Sequence, residues 1–108
     1  MDFTLIFLEV FLVSLTYVMP ILVFLVLWIT AIGTWIGRQE NWTFSDSIYY
    51  AFITATTVGY GDFHPSKKQS KYAAILVALI GVLLTGIIVA IGINAVETAL
   101  LETREKNP

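Results

Sequence analysis

Few residues in this chain are equipped for covalent chemistry. It has one histidine and no cysteine, so thiolate chemistry, disulfides and cysteine-based metal sites are excluded. No pair of carboxylates falls inside its apolar stretches, as a general acid and base would require. These residues argue against an enzyme. What remains is one run, Thr56-Thr57-Val58-Gly59-Tyr60-Gly61-Asp62, and its chemistry is that of the backbone. Carbonyls along a strand alternate in direction. Aligning successive ones needs unusual dihedrals, which Gly59 and Gly61 adopt at little cost. A file of aligned carbonyls replaces the hydration shell of a cation without burying full charges. A lone G-x-G between two helices would instead be only a turn, so the setting of the run decides.

The setting is a membrane. Of the 108 residues, 57% are apolar and 13% charged, against roughly 45–50% and 25% in a soluble domain. Disorder is excluded, and a soluble protein of 12.0 kDa has too little interior for this much apolar surface. A membrane protein or an obligate, very apolar oligomer is left. A net charge of −2 gives no footprint for nucleic acid. The N-terminus carries Asp2 and Glu9 in place of a basic leader, and its apolar run is too long for a signal peptide.

Residues 10–37 carry no charge over 28 positions, roughly 42 Å as a helix. Pro20 divides them. Residues 20–37 suffice for one span, and residues 3–19 either lie along the interface or extend the helix with a kink at Pro20. Together they are too short for two spans and a turn. A polar break follows at 38–46, where Thr43-x-x-Asp46 resembles a capping box and predicts a helix from near Phe44. Residues 47–61 are uncharged but number only 15, too few to cross. A short apolar helix ending in glycine-rich backbone reads as a re-entrant segment. After the polar, basic stretch 63–71, residues 72–96 are free of charge over 25 positions, a second span. The charged tail shows no helix stop before Asn107-Pro108, which suits a chain cut from something larger, with a cytoplasmic regulatory domain missing.

In this order of elements the central run resembles the filter signature T-V-G-Y-G, commonly followed by D, of the potassium-channel pore family, and most of the chain resembles a two-transmembrane prokaryotic pore domain of that family. The resemblance implies an all-α membrane protein: outer helix (3–37, with an N-terminal interfacial part), re-entrant pore helix (44–56), extended selectivity filter (57–62) and inner helix (72–101), in one pore domain over 1–108 that assembles as a fourfold homotetramer. It implies that carbonyls of Thr57, Val58, Gly59 and Tyr60 line four K+ sites, with the Thr57 hydroxyl completing the innermost. K+ is then the permeant ion, and no other cofactor is expected. The pore helix aims its C-terminus, with about half an elementary negative charge, at the cavity below.

The resemblance also assigns supporting roles. Gly61, Asp62, Tyr49, Tyr50 and Ile53 surround the filter. Tyr49 and Tyr50, with Trp42, form an aromatic cuff into which Tyr60 packs, and the Tyr49 hydroxyl reaches toward Asp62. Some family members place a Glu behind the filter where this chain has Ile53; without it the buried carboxyl pair is missing and inactivation tied to that pair is weakened. Gly81 matches the inner-helix hinge by spacing, with close helix packing as the alternative. Gly86 with Ala90 is a packing pair. Val82, Thr85, Val89 and Ile93 fall on one face and line the cavity, with Asn94 and Glu97 near the inner mouth. His64 stands at the outer mouth, where a ring of imidazoles binds quaternary ammonium poorly and responds to external pH, unless it is an idle surface residue before Pro65.

The expected place is the plasma membrane, multi-pass, with both termini cytoplasmic. Lys and Arg counts alone point the other way: Arg38, Lys67, Lys68 and Lys71 fall outside, and only Arg104 and Lys106 inside. The filter motif, tied to its fold, outweighs that count. Two alternatives to a potassium-selective pore are a nonselective cation channel, against which Tyr60 argues, and a non-conducting scaffold subunit.

Overall fold

A computed structural model describes residues 2–106. Its elements are three helices, α1 (Phe3–Glu40), α2 (Phe44–Ala55) and α3 (Lys68–Lys106), with no strand among the described residues. Two of them, α1 and α3, are long and apolar enough to cross a membrane. The 12 residues of α2 rise only about 18 Å, well short of a bilayer.

Helix boundaries follow from local chemistry. α1 runs through Pro20 as one helix, so residues 3–19 extend it and do not form a separate interfacial segment. It also continues past residue 37 to Glu40. Arg38 in its last turn suits the negative end of the helix dipole. Asn41 then adopts φ 61°, and the Trp42 amide donates to the Gly37 carbonyl at 2.8 Å. A left-handed residue just past the helix with this bond is the Schellman stop, for which Asn is the usual substitute for Gly. Thr43 caps α2, its Oγ1 accepting from the Asp46 amide at 3.1 Å. α3 starts at Lys68, four residues ahead of the expected Tyr72, and reaches Lys106.

Within α1 the hydroxyls of Thr16, Thr30 and Thr34 donate to carbonyls four residues earlier at 2.8–2.9 Å. These three hydroxyls on an apolar helix are thereby satisfied by its own backbone.

The chain divides into two compact units. In the unit Leu22–Thr85, buried Ile29, Ile36, Tyr50, Ala51, Ala55 and Val77 form the core. The short helix fits between the long ones because both sides present small residues. A Cβ added at Gly33 would lie 2.5 Å from the Ala51 Cβ, one at Gly37 2.6 Å from the Ser47 Cβ, and one at Gly81 2.5 Å from the Ala55 Cα. No side chain fits at those distances. Gly33-xxx-Gly37 and Ser47-xxx-Ala51-xxx-Ala55 are matching small-residue stripes, which let helix backbones approach closely where no water drives association. In the other unit, the described part of Met1–Ile21 and Gly86–Pro108, the buried side chains are Ile6, Ile91, Ala95 and Ala99.

Candidate functional site

The site is built on the C-terminal turn of α2. Helices leave their last carbonyls without internal partners, and here the chain turns back and supplies amides to them. The amide of Thr56 donates to the Phe52 carbonyl at 2.9 Å, that of Thr57 to Thr54 at 3.1 Å, and those of Val58 and Gly59 both to Ile53 at 3.1 Å. The Thr56 hydroxyl adds a bond to the Phe52 carbonyl at 2.6 Å.

The consequence lies in the carbonyls. No peptide bond here is cis, and in a planar trans peptide the C=O points opposite to the N–H. Three successive peptides turn their N–H toward α2, so the carbonyls of Thr56, Thr57 and Val58 all face away from it. An ordinary strand would alternate. The backbone achieves the alignment through left-handed residues at every second position: φ is 66° at Thr57, 55° at Gly59 and 83° at Gly61. Two of the three are glycines, for which this region carries no steric penalty. Thr57 is not, and a side chain there costs roughly 1–2 kcal/mol. The amides fastened to the α2 terminus hold it in place.

Val58 and Tyr60 are 50% and 71% exposed, and Thr57, Gly59, Gly61 and Asp62 are exposed as well. One chain thus presents a file of carbonyls on an open surface.

Behind the run stands an aromatic cluster. Trp42 and Tyr50 have ring centroids 5.0 Å apart, Trp42 and Phe63 5.4 Å, and Tyr49 and Phe63 6.1 Å. Phe63 bridges the two ends of the cluster. The sequence reading passed over it, although an aromatic directly after Asp62 in a polar loop is a visible signal. Tyr60 lies outside this cluster within its own chain and is exposed. The Asp62 carboxylate accepts a hydrogen bond from the Tyr49 hydroxyl; that bond first, then burial and the negative charge of Asp62, push the phenol above its ordinary value of 10. Ile53 takes part through its backbone carbonyl, which receives both the Val58 and the Gly59 amides.

A second anchor, which sequence reasoning missed, holds the far end of the loop. The carboxylate of Glu40, the last residue of α1 and beyond its apolar part, accepts from the amide and the hydroxyl of Ser66, each at 2.7 Å, and from the Lys67 amide at 3.2 Å. The Ser66 hydroxyl and then its amide hold the Glu40 carboxyl down at about 2. A negative charge just ahead of α3 also suits the positive end of that helix. The partners lie 26 and 27 residues apart, so no local pattern could have revealed them; they explain why α3 starts early.

Other expected site residues are placed as follows. Gly81 sits in an unbroken stretch of α3 against the backbone of Ala55, the close-packing arrangement. Val82 and Thr85 are exposed in the unit that holds the run, and Val89 and Ile93, with Asn94 and Glu97, are exposed in the other unit. Gly86 has nothing within 4 Å of an added Cβ. His64 is exposed beside Pro65.

A family model described as "Ion channel" matches residues 21–98. Among curated relatives, TWiK family of potassium channels protein 7 of Caenorhabditis elegans is 38% identical over 53 residues, 49% of this chain and 10% of that protein. Potassium channel KAT3 of Arabidopsis thaliana is 35% identical over 78 residues, 65% and 12% of the two chains. Potassium channel subfamily K member 18 of Homo sapiens is 35% identical over 48 residues, 44% and 12%. The chain therefore spans about a tenth of the length of the curated relatives it matches. No solved structure matches it.

Proposed function

The chain belongs to the ion-channel family whose model spans residues 21–98, and from that premise we propose that it forms the pore of a potassium channel, passing K+ passively across a membrane through a filter of backbone carbonyls. One observation carries this reading: three successive amides are fastened to the end of α2, which turns the Thr56, Thr57 and Val58 carbonyls to one side. Left-handed residues recur at 57, 59 and 61, and the alternation continues past Gly59 and Tyr60. The carbonyls of Thr57, Val58, Gly59 and Tyr60 take over the hydration shell of K+, and the Thr57 hydroxyl completes the innermost site. Neutral dipoles do this without a buried charge, so ions bind well enough to enter and weakly enough to leave.

A single file of carbonyls covers one side of an ion. Four copies around an axis complete the shell, so the working state is a homotetramer. Neighbouring copies cover the exposed Val58 and Tyr60, and the Tyr60 ring packs against a neighbour's aromatic cluster. Val82, Thr85, Val89 and Ile93 line the cavity, Gly81 is the place where the inner helix bends when it opens, and His64 rings the outer mouth. Two crossings with a re-entrant segment return both termini to the same face, the cytoplasmic one in the plasma membrane. The chain works by binding and release of ions, with no bond made or broken.

Liposomes containing the purified protein and loaded with KCl provide the test. Potassium efflux on dilution into N-methylglucamine, with sodium efflux far slower, is the expected result. No potassium flux from a protein that is tetrameric in those liposomes contradicts the reading and favours a scaffold.

A further inference from the structure

Two weak points in α1 lie one turn apart. The Thr16 hydroxyl donates to the Leu12 carbonyl at 2.9 Å, a side-chain bond that competes with the helix ladder and bends helices. Pro20 stands four residues later, inside the helix. Proline has no amide, so the Thr16 carbonyl loses its helical donor, and the proline ring crowds it. Sharp bends in long helices occur at such residues.

Packing is sparse over the same stretch. Within its own chain α1 has no buried side chain from residue 7 to residue 21, and α3 has none from residue 82 to residue 90. Helical segments with few buried contacts open most easily. Beyond this stretch the packing is firm. On one side, Gly33 and Gly37 seat α1 against Ala51 and Ser47 of α2. On the other, in the unit formed by the described part of Met1–Ile21 and Gly86–Pro108, Ile6 of α1 is 2% exposed, and Ile91, Ala95 and Ala99 of α3 are 7%, 0% and 0%. That unit consists of α1 and α3 segments, so each helix covers the buried face of the other. The division between the units falls after Ile21 in α1, next to Pro20.

The two ends of α1 are thus tied to different things, residues 3–19 to the end of α3 and the residues after Leu22 to α2. A stiff α1 would splint them together and oppose any bending of α3. We propose that Pro20 is a joint in the outer helix, through which residues 3–19 swing as one body with the last turns of α3 when the pore opens and closes. This rests on the pore reading above, and it adds to the bend in α3 a matching one in α1.

Single-channel recording of the full-length protein in planar bilayers tests it in two arms. Pro20→Ala returns an amide to the ladder, which tightens the helix and favours folding; slower amide exchange at residues 17–24 is the check that it has done so. The expected result is several-fold fewer opening and closing transitions, with unitary conductance and the potassium-over-sodium reversal potential unchanged. The second arm uses the absence of cysteine. Phe7 and Gly92 line one groove of about 510 Å³ between the two helices. Phe7→Cys with Gly92→Cys, joined by a flexible bis-maleimide into a product that still runs as a monomer on denaturing gels, ties α1 to α3. Helices that move together gate as often linked as unlinked. Unchanged transitions in a Pro20→Ala protein whose exchange has slowed overturn the joint. Exchange that Pro20→Ala fails to slow overturns it too, because the wild-type helix then had no weak point. Transitions lost on linking also overturn it, since residues 3–19 then stay behind while α3 moves. A wild-type tetramer that passes no potassium overturns the pore reading itself.

Discussion

The left-handed residues at 57, 59 and 61 each do a different kind of work. At Gly59, with φ 55° and nothing within 4 Å of an added Cβ, Gly59→Ala would not clash within its chain. Its cost is conformational, roughly 1–2 kcal/mol per chain. The expected outcome is a protein that still assembles and loses preference for potassium over sodium, read as a fall in the permeability ratio. At Asp62 the prediction concerns Tyr49. A phenol whose folded value is raised is stabilised below pH 10 in its neutral form, and the contribution disappears as pH climbs through the raised value. Asp62→Asn removes the acceptor charge, so Tyr49 should titrate closer to pH 10, read from its own ring resonances in an NMR pH titration. The Gly59 and Gly61 conformations were legible in the sequence because glycine advertises them. Thr57 was not, since its left-handed turn is imposed by amides that bond to Ile53 and Thr54, a tertiary constraint on a residue that would not choose it.

Two anchors hold the elements around the site, the capped end of α2 and the Glu40 clamp ahead of α3. Glu40→Gln weakens the acceptor for Ser66 and Lys67, and amide exchange at 66–71 should speed up while the core of α1 stays protected. The pH dependence has a definite sign. With the carboxyl at about 2 against an ordinary 4.5, the clamp is at full strength above pH 4.5 and is lost as pH falls through 2. Exchange in this loop should thus be flat between neutral pH and pH 5 once corrected for intrinsic rates. Packing gives a sharper contrast. Gly81→Ala drives a methyl into the Ala55 backbone, while Gly86→Ala meets open space. The first should lower the thermal unfolding midpoint by several degrees and the second leave it unchanged or raise it, as Gly to Ala does in a helix interior. A hinge role for Gly81 alone would alter opening and leave the midpoint in place. The helices themselves were readable from runs of uncharged residues and from Thr43-x-x-Asp46. The Gly33-xxx-Gly37 stripe was also present in the sequence, but it acquires meaning only once Ser47 and Ala51 lie against it. The Glu40 clamp joins residues too distant for any periodicity to connect.

For the whole molecule, the large exposed apolar surface on α1 and α3 suits surroundings of lipid, and the proposed pore adds further copies of the chain. Composition announced the lipid. In the proposed pore, a carbonyl file that covers one side of an ion calls for the copies. The helices and the left-handed turns at Gly59 and Gly61 were visible in one sequence because each rests on local patterns. The aromatic cluster through Phe63 and the packing of α2 were less so, because they depend on which helices meet. The central claim, that this backbone selects potassium, is tested most directly by the reversal potential of the reconstituted tetramer in a planar bilayer with potassium on one side and an equal concentration of sodium on the other. A large displacement toward the potassium equilibrium potential is predicted. A reversal near zero, with currents carried equally by both ions, would contradict it.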